Sequence, residues 1–131
     1  MSDMKKVVIC ASNTFYHEAE QWKKVLENNG HDVIKKVEKL NPNSEYQTVY
    51  ADHYKRITES DMLFILNLEK NGIKDYVGPS VFAEIAFAIG LNISFGKEIK
   101  IYVLNPLPKN LSYSSELTLW KKLGWIKLWD R

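Results

Sequence analysis

Residues 78–90 (GPSVFAEIAFAIG) restrict the fold of this chain more than any other stretch, because apolar side chains occupy nearly all of it. Gly78 and Pro79 end any helix or strand that precedes them. Proline suits the first turn of a helix, where Ser80 can satisfy a free backbone donor. A helix that is apolar on all sides is a buried helix. We therefore predict a helix over about residues 79–93 that is enclosed by the rest of the domain.

Glu84 is the one charged residue in this apolar segment. The helix macrodipole favours an anion near the N-terminus by about 0.3–1 kcal/mol. An ionised carboxylate between Phe82 and Phe87 nevertheless needs a partner, access to water or a chemical role. The residues alone leave two interpretations equally open. Glu84 either caps its own helix or pairs with a lysine, or it is a functional carboxylate.

Strand-like and helix-like segments alternate along the rest of the chain. The predicted strands are residues 5–11, 31–40, 62–68, 98–105 and 125–129, and the predicted helices run from residues 12–14 to 28–30 and over about 48–60, 79–93 and 114–123. This pattern is typical of a doubly wound α/β domain with three layers, and a chain of 131 residues suits one such domain over residues 1–131. Right-handed crossovers favour the flavodoxin-like strand order 2-1-3-4-5 for the parallel sheet, with the polar second strand at an edge.

The carboxyl ends of the first and third strands are the expected ligand site, because ligands bind such sheets where the strand order reverses. The loops after these strands and the start of the apolar helix meet there, so Glu84 is predicted to point at this edge. The candidate substrate-binding residues are Ser12, Asn13, Phe15, Asn67, Gly78 and Ser80.

Several familiar kinds of site are excluded because the sequence lacks the residues that they require. The chain has neither a P-loop nor a GxGxxG fingerprint after its first strand. The histidines His17, His31 and His53 lack metal-ligand spacing, and Cys10 is the only cysteine. We therefore predict no metal and no cofactor. We interpret each histidine as a surface residue and Cys10 as an inert core residue.

Charge and hydropathy restrict the partners. A net charge of +2 gives no strong footprint for a nucleic-acid polymer or a membrane surface. The apolar run near the N-terminus is too short for a signal peptide, and no later run has transmembrane length. The sequence therefore favours a cytoplasmic protein without membrane or nucleic-acid partners.

Residues 53–106 resemble the nucleoside 2-deoxyribosyltransferase superfamily, and above all its small nucleoside 2-deoxyribosyltransferase-like proteins. The motif AEIAFAIG and the loop before it carry this resemblance, and residues 7–15 fit the same pattern. The resemblance implies N-glycosidic chemistry on a nucleoside or nucleotide. Glu84 would attack the anomeric carbon and form a covalent glycosyl-enzyme intermediate, for which a carboxylate at a helix N-terminus is expected to stay ionised.

The chain departs from the family at two other acidic positions. The family aspartate six residues before the nucleophile is here Gly78, and Asp75 is the nearest acidic residue. A second family aspartate, in the helix before the third strand, falls near Asp52 or His53. Asp52 is one candidate for that role, and His53 is a replacement proton donor. Transfer, hydrolysis and nucleotide binding without turnover therefore all stay open.

Two other interpretations are weaker. A glutamate that opens a helix after the third strand also resembles the TIR-type NAD glycohydrolases, although Val81 and Phe82 replace their aromatic-cysteine pair. Alternatively, the domain is an interaction module whose C-terminal aromatic residues bind a partner.

Four large aromatic side chains lie near the C-terminus, at Tyr113, Trp120, Trp125 and Trp129. They either pack the last helix and strand against the sheet or form an oligomer interface, where aromatic residues are enriched. The resembled enzymes are oligomers, so we predict a homodimer or larger assembly.

Overall fold

The computed structural model describes residues 4–39 and 46–130, in which strands and helices alternate as predicted. The strands are β1 (Lys6–Cys10), β2 (Asp32–Lys35), β3 (Met62–Ile65), β4 (Lys100–Val103) and β5 (Lys127–Leu128). The helices are α1 (Tyr16–Asn28), α2 (Tyr46–Glu59), α3 (Pro79–Phe95) and α4 (Ser114–Lys122), and a short 3₁₀ turn (Asn13–Phe15) precedes α1.

All five strands are parallel and lie in the order β2-β1-β3-β4-β5, which confirms the predicted flavodoxin-like α/β fold. β1 and β3 are neighbours at the centre, with Cys10 paired to Ile65 at their carboxyl ends. β2 pairs with β1 on one side of this central pair, and β4 pairs with β3 on the other side. The strand order therefore reverses between β1 and β3, where such a sheet binds ligands.

Apolar cores cover both faces of the sheet, so the sheet is the middle of three layers. α1 covers one face, where Ala19 and Leu26 belong to the same buried cluster as Ile9. α2, α3 and α4 supply buried residues to the other face, where Ile85 and Cys10 share a cluster. Successive side chains of a strand point to opposite faces, and this period turns Cys10 toward α2 and α3.

Strand lengths differ from the prediction. β2 ends at Lys35 where a strand through Leu40 was predicted, and Leu40 itself lies outside the described residues. β2 is an edge strand whose pairing with β1 shifts register after Val7, so few residues share a regular ladder. β3 ends at Ile65, but Leu66 beyond it is also buried. The apolar pattern therefore continues past the end of the strand.

α3 begins and ends with backbone features rather than side-chain caps. Gly78 is its N-cap residue, and no side chain bonds the free amides, so the prediction that Ser80 satisfies one is wrong. Gly96 ends the helix with a left-handed φ of 68°, a conformation that glycine adopts without strain.

The C-terminal part of α3 is less enclosed than predicted. Ile93 is 63% exposed and Phe95 is 77% exposed, whereas Val81, Ile85 and Ala88 are buried. Only the first part of the helix is therefore buried in the domain. Within residues 4–39 and 46–130, no helix combines the length and the apolar character needed to cross a bilayer.

Candidate functional site

A pocket of about 70 Å³ lies at the carboxyl edge of the sheet. Its walls are formed by residues that follow β1 and β2, by α2, and by the first turns of α3. Four predicted site residues line it, namely Asn13, His53, Ser80 and Glu84. We call it the Glu84 pocket.

Cys10, His53 and Glu84 form a buried cluster at this pocket. Nε2 of His53 lies 3.5 Å from Oε2 of Glu84 and 3.5 Å from Sγ of Cys10. β1, α2 and α3 supply one residue each, so three elements of the core fix the geometry. Among the described residues, no other side chain with an ionisable group is classed as buried.

Burial determines the protonation of the cluster. It raises the pKa of Glu84 to about 7, although a hydrogen bond from the Cys10 thiol lowers it. It lowers the pKa of His53 to about 4, and the charge of Lys35 acts in the same direction. Burial, followed by the charge of Glu84, raises the pKa of Cys10. Desolvation favours the protonated form of Glu84, so near neutral pH its carboxyl group is part protonated and part ionised, which is less ionised than predicted.

The contacts of Glu84 match neither of the two structural roles expected for it, a helix cap or a partner of a lysine. Glu84 neither caps α3 nor pairs with a lysine in the described part of the chain, and its contacts are His53 and Cys10. One lysine of the pocket lining, Lys35, instead binds Asp52, with Nζ 2.9 Å from Oδ2. Glu84 is thus a buried carboxyl group beside a pocket, and no lysine or arginine among the described residues is its partner.

Polar residues of the loop after β1 surround the mouth of the pocket. Asn13 donates from Nδ2 to the carbonyl oxygen of Glu38 at 3.1 Å, which links the segments after β1 and β2. Lys70 donates to Oγ of Ser12 at 2.9 Å, and this hydroxyl lies 3.1 Å from the Thr14 hydroxyl. Ser12 is therefore held beside the pocket rather than in its lining.

Tyrosines of α2 form an aromatic wall. Tyr46 and Tyr50 line the pocket, and their ring centroids are 5.2 Å apart. Tyr50 is followed by Tyr54 at 4.9 Å, and Tyr54 meets Phe87 of α3 edge-on at 4.9 Å. An aromatic face at a pocket mouth can stack with a planar ligand.

Asp52 and Asp75 do not join Glu84 in the pocket lining. Asp52 is partly exposed and holds Lys35, so it acts on the pocket through that lysine. Asp75 has a left-handed φ of 57° and borders a separate cavity beside Pro106 and Leu111.

Phe15, Asn67 and Gly78 lie in the protein interior. Phe15 belongs to the core on the α1 face. The side-chain hydrogen bonds of Asn67 go to the backbone of Asn105 and Pro106. Gly78 packs against the ring of Tyr76. A Cβ atom added at position 78 would lie 3.1 Å from that ring. These positions shape the fold around the site.

Sequence reasoning missed Cys10 and Lys35 and misplaced His53. His53 is only 8% exposed, so its interpretation as a surface histidine is wrong. Cys10 is buried as predicted, but it contacts the functional candidates. Its position as the last residue of β1, at the ligand edge, is the signal that could have identified it.

Larger cavities elsewhere have no comparable chemistry. One of about 250 Å³ lies between the C-terminal part of α3 and β5, and one of about 610 Å³ lies at the amino edge of the sheet. In both, the ionisable side chains that line the cavity are not buried. The Glu84 pocket is therefore the strongest candidate site in the described part of the chain.

Comparison with known proteins gave no relative from which a function could be transferred. No protein-family model and no curated protein matches this sequence. The functional conclusion therefore depends on the geometry of the Glu84 pocket.

Proposed function

We propose that this protein cleaves or transfers the N-glycosidic bond of a nucleoside or nucleotide, with Glu84 as the nucleophile. The observation that supports the proposal is a buried carboxyl group at the pocket where this fold expects a ligand, with no lysine or arginine of residues 4–39 and 46–130 paired to it. The resemblance of residues 53–106 to the nucleoside 2-deoxyribosyltransferase superfamily supports the same chemistry.

The reaction would proceed in two displacements. The Glu84 carboxylate attacks the anomeric carbon, and the C–N bond breaks with its electron pair leaving on the base, which takes a proton from solvent. Water or a second base then attacks the same carbon and loses a proton to solvent, and the C–O bond to Glu84 breaks to release the carboxylate. The lowered pKa of His53, about 4, leaves the imidazole neutral at pH 7, so His53 contacts the Glu84 carboxyl group without acting as a strong acid.

The rest of the pocket suits the parts of such a substrate. Tyr46 and Tyr50 offer an aromatic surface to the base, while Asn13 and Ser80 offer polar groups to the sugar. Lys35 lies at the same pocket and can attract a phosphate group. Asp52 keeps the Lys35 ammonium in place.

Base release from a panel of nucleosides and nucleoside monophosphates tests the proposal. The unmodified protein should liberate free base from at least one member. Glu84→Gln should lower the rate about 10³-fold or more, because an amide cannot form the covalent intermediate. It should also keep or raise the melting temperature, since a neutral side chain is easier to bury.

Glu98→Gln is the matched control, because Glu98 is exposed and outside the Glu84 pocket. It should leave base release unchanged. Unchanged base release in Glu84→Gln, together with a clear drop in its melting temperature, would overturn the catalytic assignment.

A non-catalytic nucleotide-binding domain is the second candidate function. It is favoured by the fact that no described acidic residue other than Glu84 and the exposed Glu38 lines the pocket. A nucleotide that raises the melting temperature without any base release would identify this function.

The proposal includes an assembly and a location. A homodimer or larger assembly is supported by the exposed apolar side chains of Ile93, Phe95 and Trp125. A cytoplasmic location is supported by the free thiol of Cys10, which suits a reducing compartment.

A further inference from the structure

We propose that Cys10, His53 and Glu84 bind a divalent transition-metal ion of the zinc type, with an open coordination position toward the pocket. This inference goes beyond the proposed function and does not depend on glycosidic activity. It also reverses the sequence-based expectation that the chain has no metal site.

The donor set suits zinc. A thiolate, an imidazole and a carboxylate are the three ligand types that zinc uses in proteins, and three protein ligands with one open position are typical of catalytic sites. The three ligand atoms lie within 4.8 Å of one another. Because each ligand comes from a different core element, the set is held without help from a loop.

The interatomic distances are those expected between ligands that share one metal ion. Zinc bonds of about 2.3 Å to sulfur and about 2.0–2.1 Å to nitrogen or oxygen place tetrahedral neighbours about 3.3–3.5 Å apart. Nε2 of His53 lies 3.5 Å from the Glu84 oxygen and 3.5 Å from the Cys10 sulfur. The first distance exceeds the roughly 2.7–3.2 Å of an ordinary N–H···O hydrogen bond.

Burial gives the ion a stabilising role. Glu84 is 7% exposed and Cys10 is fully buried, and no lysine or arginine within residues 4–39 and 46–130 forms an ion pair with Glu84. A divalent cation would compensate the charge that burial otherwise disfavours. On binding, the Cys10 thiol and the protonated fraction of Glu84 release their protons to solvent, and the thiolate and carboxylate coordinate the ion.

A bound ion would also affect the chemistry proposed above. A coordinated Glu84 oxygen is no longer free to attack an anomeric carbon. If the protein has both properties, saturating Zn²⁺ should suppress base release and a chelator should restore it.

Cobalt binding tests the site directly. The full chain is stripped with a chelator and titrated with Co²⁺, whose thiolate bond gives a near-ultraviolet absorption band and whose tetrahedral complex gives visible bands. We expect one Co²⁺ per chain, displaced by one equivalent of Zn²⁺. Absence of both bands in the folded protein would overturn the proposal.

Variants identify the ligands. Cys10→Ser should abolish the near-ultraviolet band, and His53→Gln and Glu84→Gln should each weaken Co²⁺ affinity at least tenfold. His17→Gln is the control and should have no effect, because His17 is exposed on α1. Circular dichroism verifies that each variant folds. If Cys10→Ser fails to fold, the His53 and Glu84 variants decide whether the metal site exists. Unchanged Co²⁺ affinity in both of them would overturn the proposal whether or not base is released.

Discussion

Glu84 and His53 have opposite effects on stability as pH changes. The folded state holds the Glu84 proton up to about pH 7 against an ordinary pKa of 4.5, so the Glu84 contribution to stability falls as pH rises between these values. The pKa of His53 falls from 6.5 to about 4 on folding, so the His53 contribution falls as pH decreases through that range. Between about pH 4.5 and 6.5 the two effects oppose each other.

Single variants should separate these two effects in the metal-free protein. Glu84→Gln leaves His53, so the free energy of unfolding should rise with pH between 4.5 and 6.5. His53→Gln leaves Glu84, so the free energy should fall over the same range. Each slope has an upper limit of about 1.4 kcal/mol per pH unit.

Urea denaturation in the presence of a chelator measures both slopes. The double variant Glu84→Gln/His53→Gln supplies the background from all other groups. If the two single variants differ from that background in the same direction, the assigned pKa shifts are wrong.

Glu84 could be identified from the sequence because a charged residue stands out in an otherwise apolar helix. Cys10 and Lys35 were not identified as part of the site. Their places at the Glu84 pocket depend on the pairing of β1 with β2 and β3. That information lies in tertiary packing rather than in the spacing of residues along the chain.

At the scale of elements, Asn67 joins the loops that follow β3 and β4. Its Nδ2 donates to the carbonyl oxygens of Asn105 at 2.9 Å and Pro106 at 3.2 Å, and its Oδ1 accepts from the backbone amide of Asn105 at 3.0 Å. The side chain of Asn105 donates in return to the carbonyl oxygen of Asn67 at 3.0 Å. The fully buried Asn67 thus fixes the carboxyl ends of two central strands.

Asn67→Ala should therefore act on stability. It leaves buried backbone groups without partners, so we expect a loss of about 2–4 kcal/mol in the free energy of unfolding, measured by urea denaturation. The exposed Asn110→Ala is the control and should change stability little. An unchanged stability together with weaker nucleotide binding would instead support the original prediction that Asn67 binds substrate.

The order of elements was predictable in large part because the central strands β1 and β3 are buried on both faces and differ clearly from the amphipathic helices α1 and α2. Element ends were less predictable. Leu66 and Asn67 are as buried as β3 itself, so burial does not mark where the ladder ends. The exposure of Ile93 and Phe95 likewise depends on how far the other elements extend along α3, which periodicity does not encode.

At the scale of the whole molecule, the C-terminal aromatic residues divide between packing and exposure. Trp120 stacks on Phe82 with ring centroids 5.0 Å apart. Trp129 meets Phe64 edge-on at 5.4 Å on the opposite face of the sheet. Trp125 is 40% exposed and borders the same cavity as Ile93. Trp120 and Trp129 thus fit the packing interpretation, whereas the exposed Trp125 is available to form an interface.

The proposed dimer should use Ile93 and Trp125 and leave the Glu84 pocket free. These two residues lie at the C-terminal part of α3 and beside β5, and a rise of about 1.5 Å per residue separates Ile93 from Glu84 by about 14 Å along the helix.

Light scattering should give at least twice the 15.2 kDa chain mass. Ile93→Ser and Trp125→Ser should lower it to one chain, whereas Val25→Ser on α1 should not. Because neither substituted residue lines the Glu84 pocket, base release per chain should survive dissociation. A monomeric mass for the unmodified protein would exclude the dimer, and loss of base release on dissociation would mean that the partner copy completes the site.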